Sequence, residues 1–165
     1  MDRRRVLLGA SGAGLVAAIA ALLPGRRDSA TAASFPVQLS DAEWRRRLSP
    51  EAYRVLREAD TERSRSSPLD REHRAGTFAC AGCGNPLYRS QDKFDSGTGW
   101  PSFTRPIRGA VATRPDRMFL VLPRTEVHCA RCGGHLGHVF DDGPQPTGRR
   151  YCMNGVAMRF IPARG

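Results

Sequence analysis

Lysine is nearly missing from this chain: Lys93 is the only one among 26 basic residues, and the rest are arginine. The formal charge is +10, which would suit nucleic acid if it were focused. It is not. Beyond the leader the arginines are scattered from Arg45 to Arg164, with no extended tract and no basic–aromatic repeat. A nucleic-acid partner is therefore excluded, and a solvated basic surface is expected. Cysteine is absent from residues 1–32, so no lipid is attached to a cysteine there. Charge is absent from Val6 to Leu23. Helix-length periodicity is absent beyond Thr77, which argues against a helical bundle, and no internal repeat appears apart from two short cysteine motifs.

The leader is the first positive feature. Arg3, Arg4 and Arg5 precede a mild Gly/Ala-rich apolar stretch, and Ala30-Thr31-Ala32 forms a small-residue cleavage site. This pattern predicts a twin-arginine export signal over residues 1–32 and a periplasmic or otherwise extracytoplasmic product that meets the membrane only in transit. A retained anchor is the alternative, but a span needs roughly 20 predominantly apolar residues, and the Gly and Ser content weakens this one. Cleavage removes five arginines and two aspartates and lowers the charge from +10 to +7.

From Ser40 the chain reads as helix. Ser40 and Glu43 form a capping box, and Ser49-Pro50-Glu51 marks a second start with proline at the first helical position. Trp44, Leu48, Tyr53, Leu56 and Ala59 give one apolar face. Residues 63–76 read as a linker. Beyond it, strands are expected over 77–80, 86–89, 117–122, 125–129, 136–140, 149–153 and 156–160, separated by Gly and Pro. The expected fold is mainly β: a small antiparallel two-sheet or barrel-like domain with short N-terminal helices, spanning 40–163.

Four of the five cysteines fall into two C-x-x-C pairs, Cys80 with Cys83 and Cys129 with Cys132. Two such pairs present four thiolates to one tetrahedral zinc, and Gly84 and Gly133 permit the tight turns. An oxidising compartment would instead favour two disulfides. A four-thiolate zinc site is closed, and hence structural rather than catalytic.

Cys152 is left over. It lies on an expected strand whose alternation puts Arg150, Cys152 and Asn154 on one face, and Tyr151 and Met153 on the other. A neighbouring arginine lowers a thiol pKa, whereas a buried cysteine with apolar neighbours would be inert. Upstream, "GGHLGHVFDDGP" supplies His135, His138 and Asp142 as acid, hydrogen-bond donor and orienting carboxylate. The two histidines could alternatively bind a second metal. On a regular strand they face opposite ways unless Gly137 permits a bulge. "KFDSGTGWPSF" supplies Trp100, whose indole suits a sulfur-containing group.

Together "TFACAGCGNPLY", "KFDSGTGWPSF", "RTEVHCARCGGHLGHVFDDGP" and "RRYCMNGVAMRF" resemble the methionine-R-sulfoxide reductase family of the MsrB type, over about residues 40–162. The resemblance implies an enzyme that reduces methionine-R-sulfoxide in oxidised proteins or peptides and carries one structural zinc on Cys80, Cys83, Cys129 and Cys132. It implies Cys152 as nucleophile, His138 and His135 around the sulfoxide oxygen, Asp142 and Arg150 in support, and Asn154 beside the nucleophile. Trp100 would receive the methyl group, with Phe160 as a further pocket residue. Attack by Cys152 would yield methionine and a sulfenic acid. Many family members have a second, resolving cysteine where this chain has Thr98. A thioredoxin-like protein or small thiol would then regenerate Cys152, and a monomer is expected. The alternatives are a zinc-ribbon module without activity, which leaves Cys152 and the twin-histidine segment unexplained, and a zinc hydrolase or glutathione-linked enzyme on a related small β fold.

Overall fold

The computed structural model describes residues 35–116 and 124–164, all within the unit Ala33–Gly165. The expected leader and the expected strand over 117–122 lie outside the described residues. Among the described residues no helix is long and apolar enough to cross a membrane.

Both helix starts form as the sequence indicates. Helix α1 (Asp41–Arg47) has the reciprocal capping box of Ser40 and Glu43. Helix α2 (Pro50–Glu58) is capped by the Ser49 hydroxyl, begins on Pro50, and ends where Ala59 turns left-handed. A nine-residue helix is marginal by itself and needs tertiary packing. Its buried face, Ala52, Tyr53, Val55 and Leu56, supplies that packing. Leu56 lies against Gly82 and Gly134, so α2 covers both cysteine turns, and Arg57 donates to the Cys132 carbonyl at 3.1 Å. Burying the Leu56 side chain is worth about 1.5–3 kcal/mol.

The remainder is two antiparallel sheets, as expected. Strands β1 (Gly76–Cys80), β2 (Pro86–Arg89) and β9 (Met158–Pro162) form one sheet in the order β2-β1-β9. The other takes β3 (Lys93–Phe94), β4 (Ser102–Phe103), β5 (Val111–Asp116), β6 (Arg124–Cys129), β7 (His135–Phe140) and β8 (Arg150–Met153) in the order β3-β4-β8-β7-β6-β5. Aromatic rings join the sheets. Phe103 stacks on Tyr88 at 4.3 Å and meets Phe78 edge-on at 4.9 Å, and all three are fully buried.

Three differences from the sequence reading have local causes. β5 was not expected, because its exposed Thr113, Arg114 and Pro115 hide the alternation. β3 and β4 are two residues each, too short to show a period. The last strand starts later than expected, because Gly155–Ala157 first makes a 3-10 turn.

Candidate active site and metal centre

The two cysteine pairs meet at the end of α2. Each turn is closed by a backbone bond, Gly84 N–H to the Cys80 carbonyl and Gly133 N–H to the Cys129 carbonyl, both 2.9 Å. Gly84 and Gly133 are left-handed, with φ of 74° and 68°, a conformation that costs glycine nothing. The four sulfurs lie within 4.8 Å of one another. Sγ of Cys80 is 3.8 Å from Cys132, and Cys83 is 3.6 Å from Cys129. A tetrahedron with metal–sulfur arms of about 2.3 Å has edges of roughly 3.8 Å. The donor set therefore fits zinc, whereas the cysteines are all free rather than disulfide-bonded. The histidines form no such cluster among the described residues.

Cys152 sits elsewhere, at the centre of the six-stranded sheet. In register, Ser102 pairs with Cys152, Cys152 with His138, His138 with Glu126, and Glu126 with Arg114. Hydroxyl, thiol, imidazole, carboxylate and guanidinium thus form one row across β4, β8, β7, β6 and β5. Directly paired residues have Cβ atoms about 4.5–5.5 Å apart. Gly137 makes the approach possible, since a Cβ there would lie 2.1 Å from the Cys152 carbonyl oxygen.

The histidine segment is not a regular strand: it carries a bulge. Val127 pairs with Gly137, but His128 pairs with His135, so Leu136 is the extra residue. The bulge brings the rings of His135 and His138 within 5.4 Å, edge to face. Each ring is held by a carboxylate. His135 Nδ1 bonds Glu126 at 3.0 Å, and His138 Nε2 bonds Asp116 at 2.8 Å. Burial pushes the Glu126 carboxyl up, but its bonds to Arg114 and His135 outweigh burial and hold it below the usual range. Burial lowers the His138 pKa, and Asp116 offsets only part of that. Nε2 of His135 is buried and has no hydrogen-bond partner among the described residues.

Several expected site residues have other partners than the sequence suggested. Among the described residues Asp142 hydrogen-bonds to neither histidine; it clamps Arg150 through two bonds of 2.9 and 2.7 Å. The carboxylates on the histidines, Glu126 and Asp116, were missed. The signal for Glu126 was a charged residue between Thr125 and Val127 in a strand that is buried from Glu126 to Cys129. Arg150 lies on the Cys152 face, with its guanidinium 4.5 Å from the Phe140 ring centre. Its charge does not dominate the thiol. Burial raises the Cys152 pKa, and the Thr98 hydroxyl, the Arg150 charge and the Ser102 hydroxyl offset only part of the rise. Asn154 is buried and spoken for: its side-chain amide donates to the Leu136 carbonyl, and its oxygen accepts from Glu62 N–H. Phe160 is on β9 in the other sheet, packed on Phe78 at 5.2 Å. It is absent from the cavity over Cys152, where Phe140 stands instead.

Glu62 was also missed, because nothing in its local sequence marks it. Its carboxylate accepts from Gly155 N–H at 2.6 Å and Val156 N–H at 2.9 Å. Its carbonyl accepts from the Trp100 indole at 3.2 Å. One buried residue thus ties the end of β8 to the tryptophan. Trp100, Cys152, His138, Phe140, Asn154, Gly137, Thr61 and Arg124 line a cavity of about 120 Å³. Pockets for drug-sized ligands run from about 300 to 1,000 Å³, so this one suits the end of a single side chain. A larger cavity of about 440 Å³ beside α1 and α2 is lined by Arg45, Leu48, Pro50, Tyr53, Arg54 and Glu58 and contains no nucleophile.

A family model described as the SelR domain matches residues 48–162. The chain belongs to this family. It is 56% identical over 126 residues to a peptide methionine sulfoxide reductase MsrB of Bradyrhizobium diazoefficiens, covering 74% of this chain and 88% of that protein. A protein of the same name from Leptospira interrogans is 44% identical over 127 residues, covering 77% and 97%. The chloroplastic peptide methionine sulfoxide reductase B1 of Arabidopsis thaliana is 49% identical over 122 residues, covering 74% of this chain and 60% of that protein. The matched region takes in both cysteine pairs and the whole Cys152 row.

Proposed function

We propose that the protein reduces methionine-R-sulfoxide in peptides and oxidised proteins, with Cys152 as nucleophile. The observation that carries this reading is the position of Cys152. Its thiol lies opposite His138 in a side-chain-sized cavity walled by Trp100, in a chain whose relatives bear the name peptide methionine sulfoxide reductase.

The ionised thiol attacks the sulfoxide sulfur. Negative charge builds on the oxygen, and the histidine pair delivers a proton to it. In the net step the oxygen moves from the methionine sulfur to Sγ, methionine gains two electrons, and Cys152 becomes a sulfenic acid. Two external thiols then restore it, releasing water and leaving as a disulfide between themselves. The other four cysteines are committed to a structural zinc, which holds the two turns under α2 and supplies no step. Glu126 and Asp116 orient His135 and His138, while Asp142 fixes Arg150. Trp100 receives the methyl group, so only the R epimer turns its oxygen toward the histidines. Residues 1–32 act as the export signal, which cell fractionation tests.

The deciding assay presents separated R and S epimers of a methionine-sulfoxide peptide to the wild type and to Cys152→Ser, with dithiothreitol as reductant. Reduction of R alone, lost in the variant, is expected. Reduction of neither epimer by folded, zinc-loaded protein would leave a zinc module without activity.

A further inference from the structure

A chain of three side-chain hydroxyls starts at the Cys152 sulfur and loops through Thr98 and Ser96 to Ser102, the cross-strand partner of Cys152. Thr98 Oγ1 is 3.9 Å from Sγ and 2.8 Å from Ser96 Oγ. Ser96 Oγ is 2.8 Å from Ser102 Oγ, and Ser102 donates to the Trp100 carbonyl at 3.1 Å. Each hydroxyl has one proton to give, and the terminal carbonyl only accepts, so the directions are determined. Ser102 donates to Trp100, Ser96 therefore to Ser102, and Thr98 to Ser96. In the thiol form the S–H of Cys152 then donates to Thr98, and all four contacts are made.

Ionisation removes one proton from this chain and leaves a charged sulfur in a largely buried place. Turning round the Thr98 and Ser96 hydroxyls gives the sulfur a donor: Thr98 donates to Sγ and Ser96 to Thr98. The single contact left without a proton is then at the far end, between Ser96, Ser102 and the Trp100 carbonyl. The backbone of Thr98 stays fixed meanwhile. Its carbonyl accepts from Ser64 Oγ at 2.8 Å, and the next carbonyl, of Gly99, accepts from Arg65 N–H at 2.7 Å.

We propose that Thr98 is a catalytic residue whose hydroxyl donates to the Cys152 thiolate, backed by the reversible hydroxyl chain through Ser96 and Ser102. This rests on the reading of Cys152 as nucleophile. The other groups facing the sulfur are the Ser102 hydroxyl on the paired strand β4, Arg150 on the same strand, already bound to Asp142, His138 opposite on β7, and Arg124 on the cavity wall. Among the described residues Arg150, His138 and Arg124 make no hydrogen bond to Thr98, so a shift on its substitution reports the linked hydroxyls that Thr98 heads.

The test is the pH dependence of iodoacetamide alkylation at Cys152, followed by mass spectrometry on the zinc-loaded full chain. Thr98→Val keeps the shape and removes the hydroxyl, and Thr98→Ser restores it. The alkylation midpoint of Thr98→Val is expected to rise by about one pH unit, a roughly tenfold loss of thiolate at neutral pH, with Thr98→Ser close to wild type. A wild-type midpoint in Thr98→Val, or a raised one in Thr98→Ser, would overturn the proposal. Sulfoxide reduction is assayed separately on the same samples. Shifted midpoints without any reduction would sink the nucleophile reading and leave the hydrogen bond standing; unshifted midpoints with full reduction would do the reverse.

Discussion

The four paired cysteines and Cys152 are the same residue in two opposite settings. Cys80, Cys83, Cys129 and Cys132 have one another as neighbours, with sulfurs within 4.8 Å, on turns closed by left-handed glycines and roofed by α2. Among the described residues Cys152 stands apart from that cluster. Its neighbours are a hydroxyl, an imidazole and a guanidinium, and it opens on a cavity. A thiol among thiols suits a metal and fixes the fold, whereas a thiol among proton donors, with room above it, suits chemistry. Neighbours rather than residue type separate the two uses.

The comparison breaks most visibly at the metal. Cys132→Ser, or chelation, is expected to abolish the cooperative thermal transition, since structural zinc contributes an apparent 10–16 kcal/mol in small zinc domains. Calorimetry with metal analysis should give one zinc per folded chain; a zinc-free chain with an unchanged transition would contradict the structural role. At the other pole, Cys152→Ser is expected to cut turnover by at least about a thousandfold while the transition and the zinc content stay as in wild type. A large loss of stability there would blur the distinction.

The pH profile sharpens it further. Burial raises the Cys152 pKa, so the reactive thiolate is scarce at neutral pH. The rate kcat/KM is expected to rise with pH through a midpoint above the ordinary thiol value; a plateau already reached below pH 7 would mean a low-pKa nucleophile instead. Glu126→Gln weakens the bonds to both Arg114 and His135, and is expected to lower kcat/KM by about ten- to a hundredfold with little change in melting. The smallest effect belongs to Glu62→Gln. The amide keeps one acceptor for Gly155 and Val156 and sets a donor against the other. A destabilisation of about 1–3 kcal/mol, read from denaturant midpoints, is expected, together with a higher KM as Trp100 loosens.

Much of this was legible along the chain. The C-x-x-C pairs and their glycines are local features, and so are the capping box, Pro50 and the alternation that puts Arg150 and Cys152 on one face. Each is decided within a few residues, where backbone geometry and spacing leave little choice. The partners of Asp142 were not legible. From the sequence it could hold a histidine or an arginine, and it holds Arg150 because both flank the hairpin between β7 and β8. Phe160 was misplaced for a similar reason: its strand pairs with β1, which no local pattern announces.

The sequence alone therefore determined which groups exist and how they are spaced: two C-x-x-C pairs, one unpaired thiol, two histidines three residues apart and a tryptophan in a glycine-rich loop. Tertiary structure decided which of them meet. Glu126 and Asp116 reach the histidines only because β5, β6 and β7 are neighbours in register, and Glu62 reaches Trp100 and the Asn154 turn only because the lead-in packs there. Strand pairing and long-range hydrogen bonds join residues up to 94 positions apart. Such contacts are set by the burial and backbone satisfaction of the whole fold, which no local stretch contains.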